Sequence, residues 1–329
     1  PEVIGHENVR VRFDRYVRTN DWNLDINARQ FGGIRQDAGL GLNNMDDRLG
    51  RWRRFLPEDA IWPDTEVDDR HRLTVGDETI ELRHARGETD DHLWAWLPER
   101  KVIMAGDFVI WNFPNAGNPQ KVQRYPIEWA AALREMVACG PELLVPAHGL
   151  PIAGTARIAK VLGTMADALE QIADAVVAMM NDGCTLDEII HTVRVPDEIL
   201  AMPFMRPLYD EPEFVVRNVW RQFGGWWDRA ASRLKPAADA EVAAVLAEMT
   251  GGAAALAARA EAESAAGNHR LASHLADFAG WAAPDDPDVH RVRAAVYLAR
   301  RRVESSLMSK GIYAAAARES EAVADRDDA

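Results

Sequence analysis

The sequence lacks several features that would place the protein in other classes. Only two of its 329 residues are cysteines, Cys139 and Cys184, so no disulfide framework holds the fold. No apolar run approaches the roughly 20 residues that a membrane-spanning helix needs. The formal net charge is −14, so there is no surplus of the lysine and arginine side chains that bind phosphate backbones. The sequence therefore predicts neither a membrane span nor a nucleic-acid partner.

Two further absences concern the start of the chain and its histidines. The first residue is Pro1 and not methionine, and no signal peptide is visible, although a preceding segment could carry one. We interpret the sequence as lacking its true N-terminal part, and the cellular location stays open. The nine histidines stand at positions 6, 71, 84, 92, 148, 191, 269, 274 and 290, so no two of them are two residues apart.

The composition is that of a folded, acidic protein. Hydrophobic residues make up 47% of the chain and charged residues 27%, which is ordinary for a globular protein. The length favours about two domains. An acidic protein that acts on an anion needs a locally positive site, which metal ions and a few arginines would supply.

The first half of the chain alternates strands and helices. A turn signal between two apolar runs predicts a β-hairpin over residues 72–84, and LWAWL and KVIMAG form a second strand pair. The helical spacing of residues 126–138 then separates this pair from the short buried strand in LLVPAHG. Strand, helix and strand in succession predict an α/β domain with a crossover, which we assign to residues 1–154.

The second half, residues 155–329, is rich in alanine and has helical periodicity almost throughout. A long helix ends at Gly183, and Thr185 with Glu188 form a capping box for the next helix. Pairs of helices joined by short turns are typical of helical hairpins. The sequence therefore predicts an all-α domain here.

Three side chains with metal-binding chemistry each follow a predicted strand. Glu88 precedes the LWAWL–KVIMAG pair, Asp107 follows it, and His148 follows the strand after the crossover helix. An antiparallel pair returns its two open ends to the same edge, and ligands gather at the carboxyl ends of strands in open α/β sheets. Two carboxylates and an imidazole suit a divalent metal. Alone, Glu88 would more often be a solvated loop acid, but the ordered succession favours a ligand. For His92 the sequence leaves open whether it orients a ligand or is exposed.

The same residues carry a family resemblance. GETDD, MAGDF and LVPAHG resemble the second half of the metallo-β-lactamase superfamily, with Glu88, Asp107 and His148 at its ligand positions. A glutamate where most of that superfamily has histidine resembles the alkyl sulfatase branch. GHENVRVRFDRY, INARQFGG, PNAGNPQKVQRY, VRNVWRQFGGWWD and SLMSKGIY are similar to pieces of hydrolases that carry an alkyl-sulfatase-type dimerisation domain.

The resemblance implies a fold, a chemistry and partners. The fold would be a partial metallo-β-lactamase-like αββα sandwich followed by an α-helical dimerisation domain, in a homodimer. The activity would be hydrolysis of an anionic ester, with an alkyl sulfate as the favoured substrate, by water that two zinc ions activate. Arginine suits the oxygens of a sulfate, and the candidates for substrate binding are Asn115, Lys121, Arg124 and Arg29.

The sequence also departs from the family pattern. The His-x-His-x-Asp-His cluster of the superfamily is absent, and we expect it to precede Pro1, so the fragment alone would bind metal poorly. Alkyl sulfatases typically have glutamate where this chain has Asp107, and their C-terminal sterol-carrier-like domain is not seen. Two alternatives therefore remain. One is a lactonase, thioesterase or phosphoesterase of the same fold, and the other is an inert oligomerisation protein with a degenerate site.

Overall fold

A computed structural model describes residues 2–31 and 54–328, which fall into two compact units. The first unit contains residues 2–23 and 54–230, and the second contains residues 24–31 and 231–328. The strands are β1 (Ile4–His6), β2 (Thr65–Val67), β3 (Arg70–Val75), β4 (Glu78–His84), β5 (Leu93–Leu97), β6 (Val102–Gly106), β7 (Leu143–Pro146) and β8 (Ile152–Ala153). The helices are α1 (Asn8–Arg18), α2 (Asn20–Phe31), α3 (Pro126–Ala138), α4 (Thr155–Asn181), α5 (Leu186–Thr192), α6 (Asp197–Leu200), α7 (Pro212–Gly224), α8 (Ala231–Leu234), α9 (Asp239–Thr250), α10 (Ala253–Ala265), α11 (His269–Ala282), α12 (Pro287–Val303) and α13 (Leu307–Ala324).

The first unit is built on a six-stranded sheet in the order β3-β4-β5-β6-β7-β8. Strands β3 to β6 pair antiparallel with their sequence neighbours, which confirms the predicted hairpin and the predicted second strand pair. Strand β7 then pairs parallel with β6. A parallel neighbour requires a crossover connection, and α3 lies in that connection. The ends of β6 and β7 therefore lie at the same edge of the sheet.

The core of the first unit lies on one face of this sheet. Alternate residues of β5, Trp94 and Trp96, point into it because successive side chains of a strand face opposite sides. They share a cluster with Trp129 and Leu133 of α3, both fully buried. The arrangement is a mixed α/β layer with helices over the sheet, as the sequence predicts.

The long helix α4 belongs to this core. Ile158, Leu162 and Leu169 on one side of the helix are fully buried in the same cluster as the strands and α3. The compact unit consequently extends to residue 230, beyond the end of the predicted α/β segment at residue 154. Helical periodicity identifies α4 as a helix but does not reveal what its apolar side packs against. The division into domains at residue 154 stays a prediction.

The second unit is helical, as predicted. Neighbouring helices α9 to α13 pack on one another through small residues, among them Ala260, Ala272, Ala276 and Ala317. The turn between α9 and α10 uses Gly251 at φ +95°, a left-handed conformation that favours glycine. Among the described residues no single helix is long and apolar enough to cross a membrane, although α9 and α10, bent by 87° at their junction, pass that test as a pair.

Truncating α4 on its buried side tests the assignment of this helix to the α/β core. We expect Leu162→Ala to lower the free energy of unfolding by about 2–5 kcal/mol, because a cavity opens in a fully packed site. The exposed Lys160→Ala, on the same helix, should change it by less than about 0.5 kcal/mol. Urea unfolding followed by tryptophan fluorescence of the sheet is the measurement. Equal stability of the two variants would show that α4 is not part of this core.

Candidate functional site

Glu88 lies in the loop that joins β4 to β5, and its carboxyl group is turned inward. Oε1 accepts a hydrogen bond from Asn115 Nδ2 at 2.5 Å and lies 3.2 Å from Arg124 Nη2. The Glu88 main-chain oxygen also accepts from Arg124. Burial raises the pKa of Glu88 to about 7, with Arg124 opposing the rise and the adjacent Asp107 adding to it. Glu88 is therefore a desolvated acid and not a solvated loop residue.

Asp107 follows β6 and is positioned through its main chain. Gly106 has φ +55°, and a Cβ there would lie 2.7 Å from His92 Nε2, so glycine is required by both conformation and space. The His92 ring stacks on Phe108 with centroids 4.2 Å apart, and its Nε2 accepts the Asp107 N–H at 3.1 Å. Burial lowers the pKa of His92 to about 4. His92 is therefore not exposed, and its contact is with the main chain of Asp107 and not with the carboxylate.

His148 reaches the same edge from β7. Its Nε2 lies 3.3 Å from Asp107 Oδ1, and its side chain is exposed. Asp107 Oδ1 is itself buried and has no partner in hydrogen-bonding geometry among the described residues. Glu88 and Asp107 are close enough for a side-chain hydrogen bond when one of them is protonated. The three side chains thus lie in a chain of contacts from Glu88 through Asp107 to His148.

The arrangement is incomplete as a metal centre. Within residues 2–31 and 54–328, no group of three or more His, Cys, Asp or Glu side chains is already arranged to hold a metal ion. What the site does contain is the buried carboxyl group of Glu88 next to the partly exposed one of Asp107, whose buried Oδ1 has no hydrogen-bond donor among the described residues. Like charges so placed repel, and either a proton or a cation stabilises them.

The acids open onto a cavity of about 360 Å³ in the first unit. Four cationic side chains lie among its walls, along with the acids and a few apolar groups. Its lining residues are Arg12, Arg15, Tyr16, Glu88, Thr89, Asp91, His92, Leu93, Asp107, Lys121, Val122 and Arg124. The protein is acidic overall, so this cavity supplies the local positive charge that an anionic substrate requires.

The predicted substrate-binding residues fall in different places. Lys121 and Arg124 line the cavity, and Arg124 is only 3% exposed. Asn115 lies beside Glu88, and its Nδ2 is used on that carboxyl group. Arg29 does not line the cavity. It lies in the second unit, where its guanidinium pairs with Asp25 at 3.3 Å and Glu319 at 3.4 Å. The last two residues of INARQFGG lie outside the described residues.

The cavity loop between β6 and α3 is held by a buried acid that the sequence analysis missed. Asp210 Oδ2 accepts the main-chain N–H groups of Gly117 at 2.6 Å and Asn118 at 3.2 Å, and Oδ1 accepts that of Glu211 at 2.7 Å. Burial raises the pKa of Asp210 to about 7, against the effect of these donors. A Cβ on Gly117 would lie 2.3 Å from the main chain at Phe214, which explains the glycine.

A residue of α7, Asn218, holds the main chain at Arg124 through two hydrogen bonds. Asn218 Nδ2 donates to the Arg124 main-chain oxygen at 2.8 Å, and its Oδ1 accepts the Arg124 N–H at 3.3 Å. Gln123 Nε2 donates to the main-chain oxygen of Asn218 at 3.1 Å. The VRNVWRQF stretch, which contains Asn218, therefore sets the position of Arg124. That role has no local sequence signal, because the two residues are 94 positions apart.

Comparison with known proteins agrees with this architecture. Residues 185–322 match the family model described as alkyl sulfatase dimerisation. A linear primary-alkylsulfatase of a Pseudomonas species is 27% identical over 65% of this chain and 42% of its own length. An alkyl/aryl-sulfatase of Saccharomyces cerevisiae is 25% identical over 63% of this chain and 32% of its own length. The chain spans less than half the length of the curated relatives it matches.

A solved structure provides the same comparison for the fold. The stereoselective inverting sec-alkylsulfatase Pisa1 from Pseudomonas sp. superimposes with a TM-score of 0.73 at 22% identity, over 79% of this chain and 42% of that one. The resemblance to alkyl sulfatases is thus confirmed, and the chain has the mixed α/β fold with a helical C-terminal domain that such enzymes share.

The protonation of the His92 imidazole can be measured in metal-free protein and tests the geometry of the site. We expect the imidazole to stay neutral, with the proton on Nδ1, down to about pH 4 in metal-free protein. Between the ordinary histidine pKa of about 6.5 and 4, the unfolded chain binds more protons, so stability should fall as the pH drops through that window. Nitrogen-15 NMR of the ring is the measurement, with His92→Gln expected to remove this part of the pH dependence. Protonation of His92 near pH 6.5 would contradict the geometry described here.

Proposed function

We propose that this protein is a metal-dependent hydrolase of sulfuric esters, with alkyl sulfates as the favoured class. The observation that carries the proposal is the meeting of Glu88, Asp107 and His148 at one sheet edge, where the two acids also line a cavity that contains arginine and lysine side chains. The alkylsulfatases among the similar proteins support the choice of a sulfuric ester as the bond cleaved.

The donor set supports a metal at this edge. Two carboxyl groups and an imidazole are ligands that zinc accepts, and the buried Asp107 Oδ1 lacks a hydrogen-bond donor. The described residues supply at most these three ligands, so the rest of a coordination shell, and the expected second zinc ion, require donors beyond them. When bound, such ions lower the pKa of a coordinated water and polarise the ester.

The chain's own residues have distinct roles in this proposal. Asn115 and Arg124 fix the rotamer of Glu88 through direct contacts, and His92 fixes the main chain at Asp107. Arg124 and Lys121 provide positive charge for the sulfate oxygens. Asn115 thus acts on the substrate through Glu88 and not by contact of its Nδ2 with the ester.

Two other readings make different predictions. A lactonase, thioesterase or phosphoesterase would have the same fold and cleave a different bond. Arg15 and Lys121, which line the cavity beside the paired Arg12 and Arg124, favour an anionic ester over a neutral lactone. An inert oligomerisation protein would bind no zinc. We favour the hydrolase because Glu88 is buried beside Asp107 at the cavity and is not a solvated surface acid.

Neutralising the two acids tests the assignment. Using protein expressed from the complete gene and supplied with zinc, we expect Glu88→Gln and Asp107→Asn each to lower kcat/KM for an alkyl sulfate at least about 100-fold and to reduce bound zinc. Glu99→Gln, an exposed acid in the turn at the opposite end of the β5–β6 hairpin, is the control and should change neither. Hydrolysis of a lactone panel but not of alkyl sulfates would contradict the proposed bond, and full activity of both variants would contradict the site.

The homodimer is proposed from the second unit. The dimerisation family match includes α9, whose Val242, Val245 and Met249 are 41%, 56% and 77% exposed and follow one side of the helix. Exposed apolar residues at this spacing favour a second copy as the partner.

Light scattering at micromolar concentration should give twice the mass of one chain. Met249→Glu should weaken the dimer because a charge enters an apolar contact, whereas Glu248→Gln, its exposed neighbour, should not. A monomeric parent protein would contradict the homodimer, and an unaffected Met249→Glu would contradict this face.

A further inference from the structure

The cavity holds a cation that the proposed chemistry does not use. Arg12 is neutralised by Asp90 and by Asp91, the latter at 3.0 Å, and Arg124 is held against Glu88. Arg15 of α1 also lines the cavity, and its buried Nε has no hydrogen-bond partner among the described residues. A buried donor without a partner is costly unless a ligand completes it.

Arg124, which lines the same cavity, also has a guanidinium nitrogen that is unpaired among the described residues. The side chain is 3% exposed, and its buried Nε likewise has no partner within the described part of the chain. Both arginines line the cavity, and in each of them the buried Nε has no acceptor among the described residues, so neither guanidinium is fully satisfied by the protein groups around it. A guanidinium in such a cavity is suited to an oxyanion.

Lys121 is near both of these arginines. Burial, together with the charges of Arg124 and Arg15, lowers the pKa of Lys121 to about 8, so the three positive charges are close together. The Lys121 ammonium lies 5.7 Å from the centre of the Phe55 ring, which packs against Tyr16 of α1 at 4.9 Å. Three cations that crowd one another in a partly desolvated cavity repel, and bound anions relieve that repulsion.

A simple alkyl sulfate carries one negative charge, to which the proposed function assigns Arg124 and Lys121. The described walls offer little for a long alkyl chain, since Leu93 and Val122 are the aliphatic residues among them. We propose that Arg15 forms a second anion subsite, with Lys121 shared between it and the sulfate, so that the preferred substrate is a sulfuric ester whose organic part bears a carboxylate. This inference rests on the proposed sulfuric-ester hydrolysis and names its substrate class.

The test compares two esters that differ in one charge, hexyl sulfate and 6-sulfooxyhexanoate, on zinc-supplied protein from the complete gene. We expect kcat/KM to favour the carboxylated ester at least about 10-fold, since a charge-assisted hydrogen bond is worth that much. Arg15→Gln should lower this preference at least about 10-fold, mainly through KM, and Arg15→Lys should keep most of it. Arg18→Gln, an exposed arginine at the end of the same helix and outside the cavity, is the control and should leave the preference unchanged.

Two results would overturn the second subsite: no preference for the carboxylated ester, or the same preference in Arg15→Gln as in the parent protein. If neither ester is hydrolysed, the proposed function fails, and the subsite is then judged by binding alone. Isothermal titration with adipate should show binding that Arg15→Gln weakens at least about 10-fold and Arg18→Gln does not. Absence of adipate binding, or equal binding by both variants, would overturn the subsite independently of activity.

Discussion

The burial of the Glu88 carboxyl group beside Asp107 is the constraint on which the rest of this structure depends. Glu88 precedes β5 and Asp107 follows β6. Because these two strands pair antiparallel, the start of β5 and the end of β6 lie side by side, which brings the two acids together. Burial raises the pKa of Glu88, so the pair is stable only with a proton or a cation beside it. The site is thus prepared for a positive charge by its backbone topology, before any ligand is considered.

Helix α7 and the segment just before it hold the loop between β6 and α3 in place. Asp210 binds two main-chain N–H groups of the β6–α3 loop, and Asn218 of α7 binds the main chain at Arg124. Both contacts connect positions more than 90 residues apart. The position of the Arg124 guanidinium, which contacts Glu88, therefore depends on how α7 packs on the core. This explains why the first compact unit continues well beyond the α/β strands.

Much of the fold and the centre of the site could be predicted from local sequence patterns. The hairpins, the crossover and the edge shared by Glu88, Asp107 and His148 follow from apolar periodicity and chain direction. The roles of Asp210 and Asn218 could not be predicted, because a buried polar contact between distant segments has no periodic signal. The packing of α4 on the sheet and the separate location of Arg29 were missed for the same reason: they depend on which surfaces meet.

The central claim is that the acid pair at the sheet edge holds a metal ion. Crystals of zinc-supplied protein from the complete gene, measured at the zinc absorption edge, test it most directly. The account predicts an anomalous peak about 2.0–2.2 Å from carboxylate oxygens of both Glu88 and Asp107. A well-occupied zinc peak elsewhere, with these two groups still sharing a proton, would contradict it.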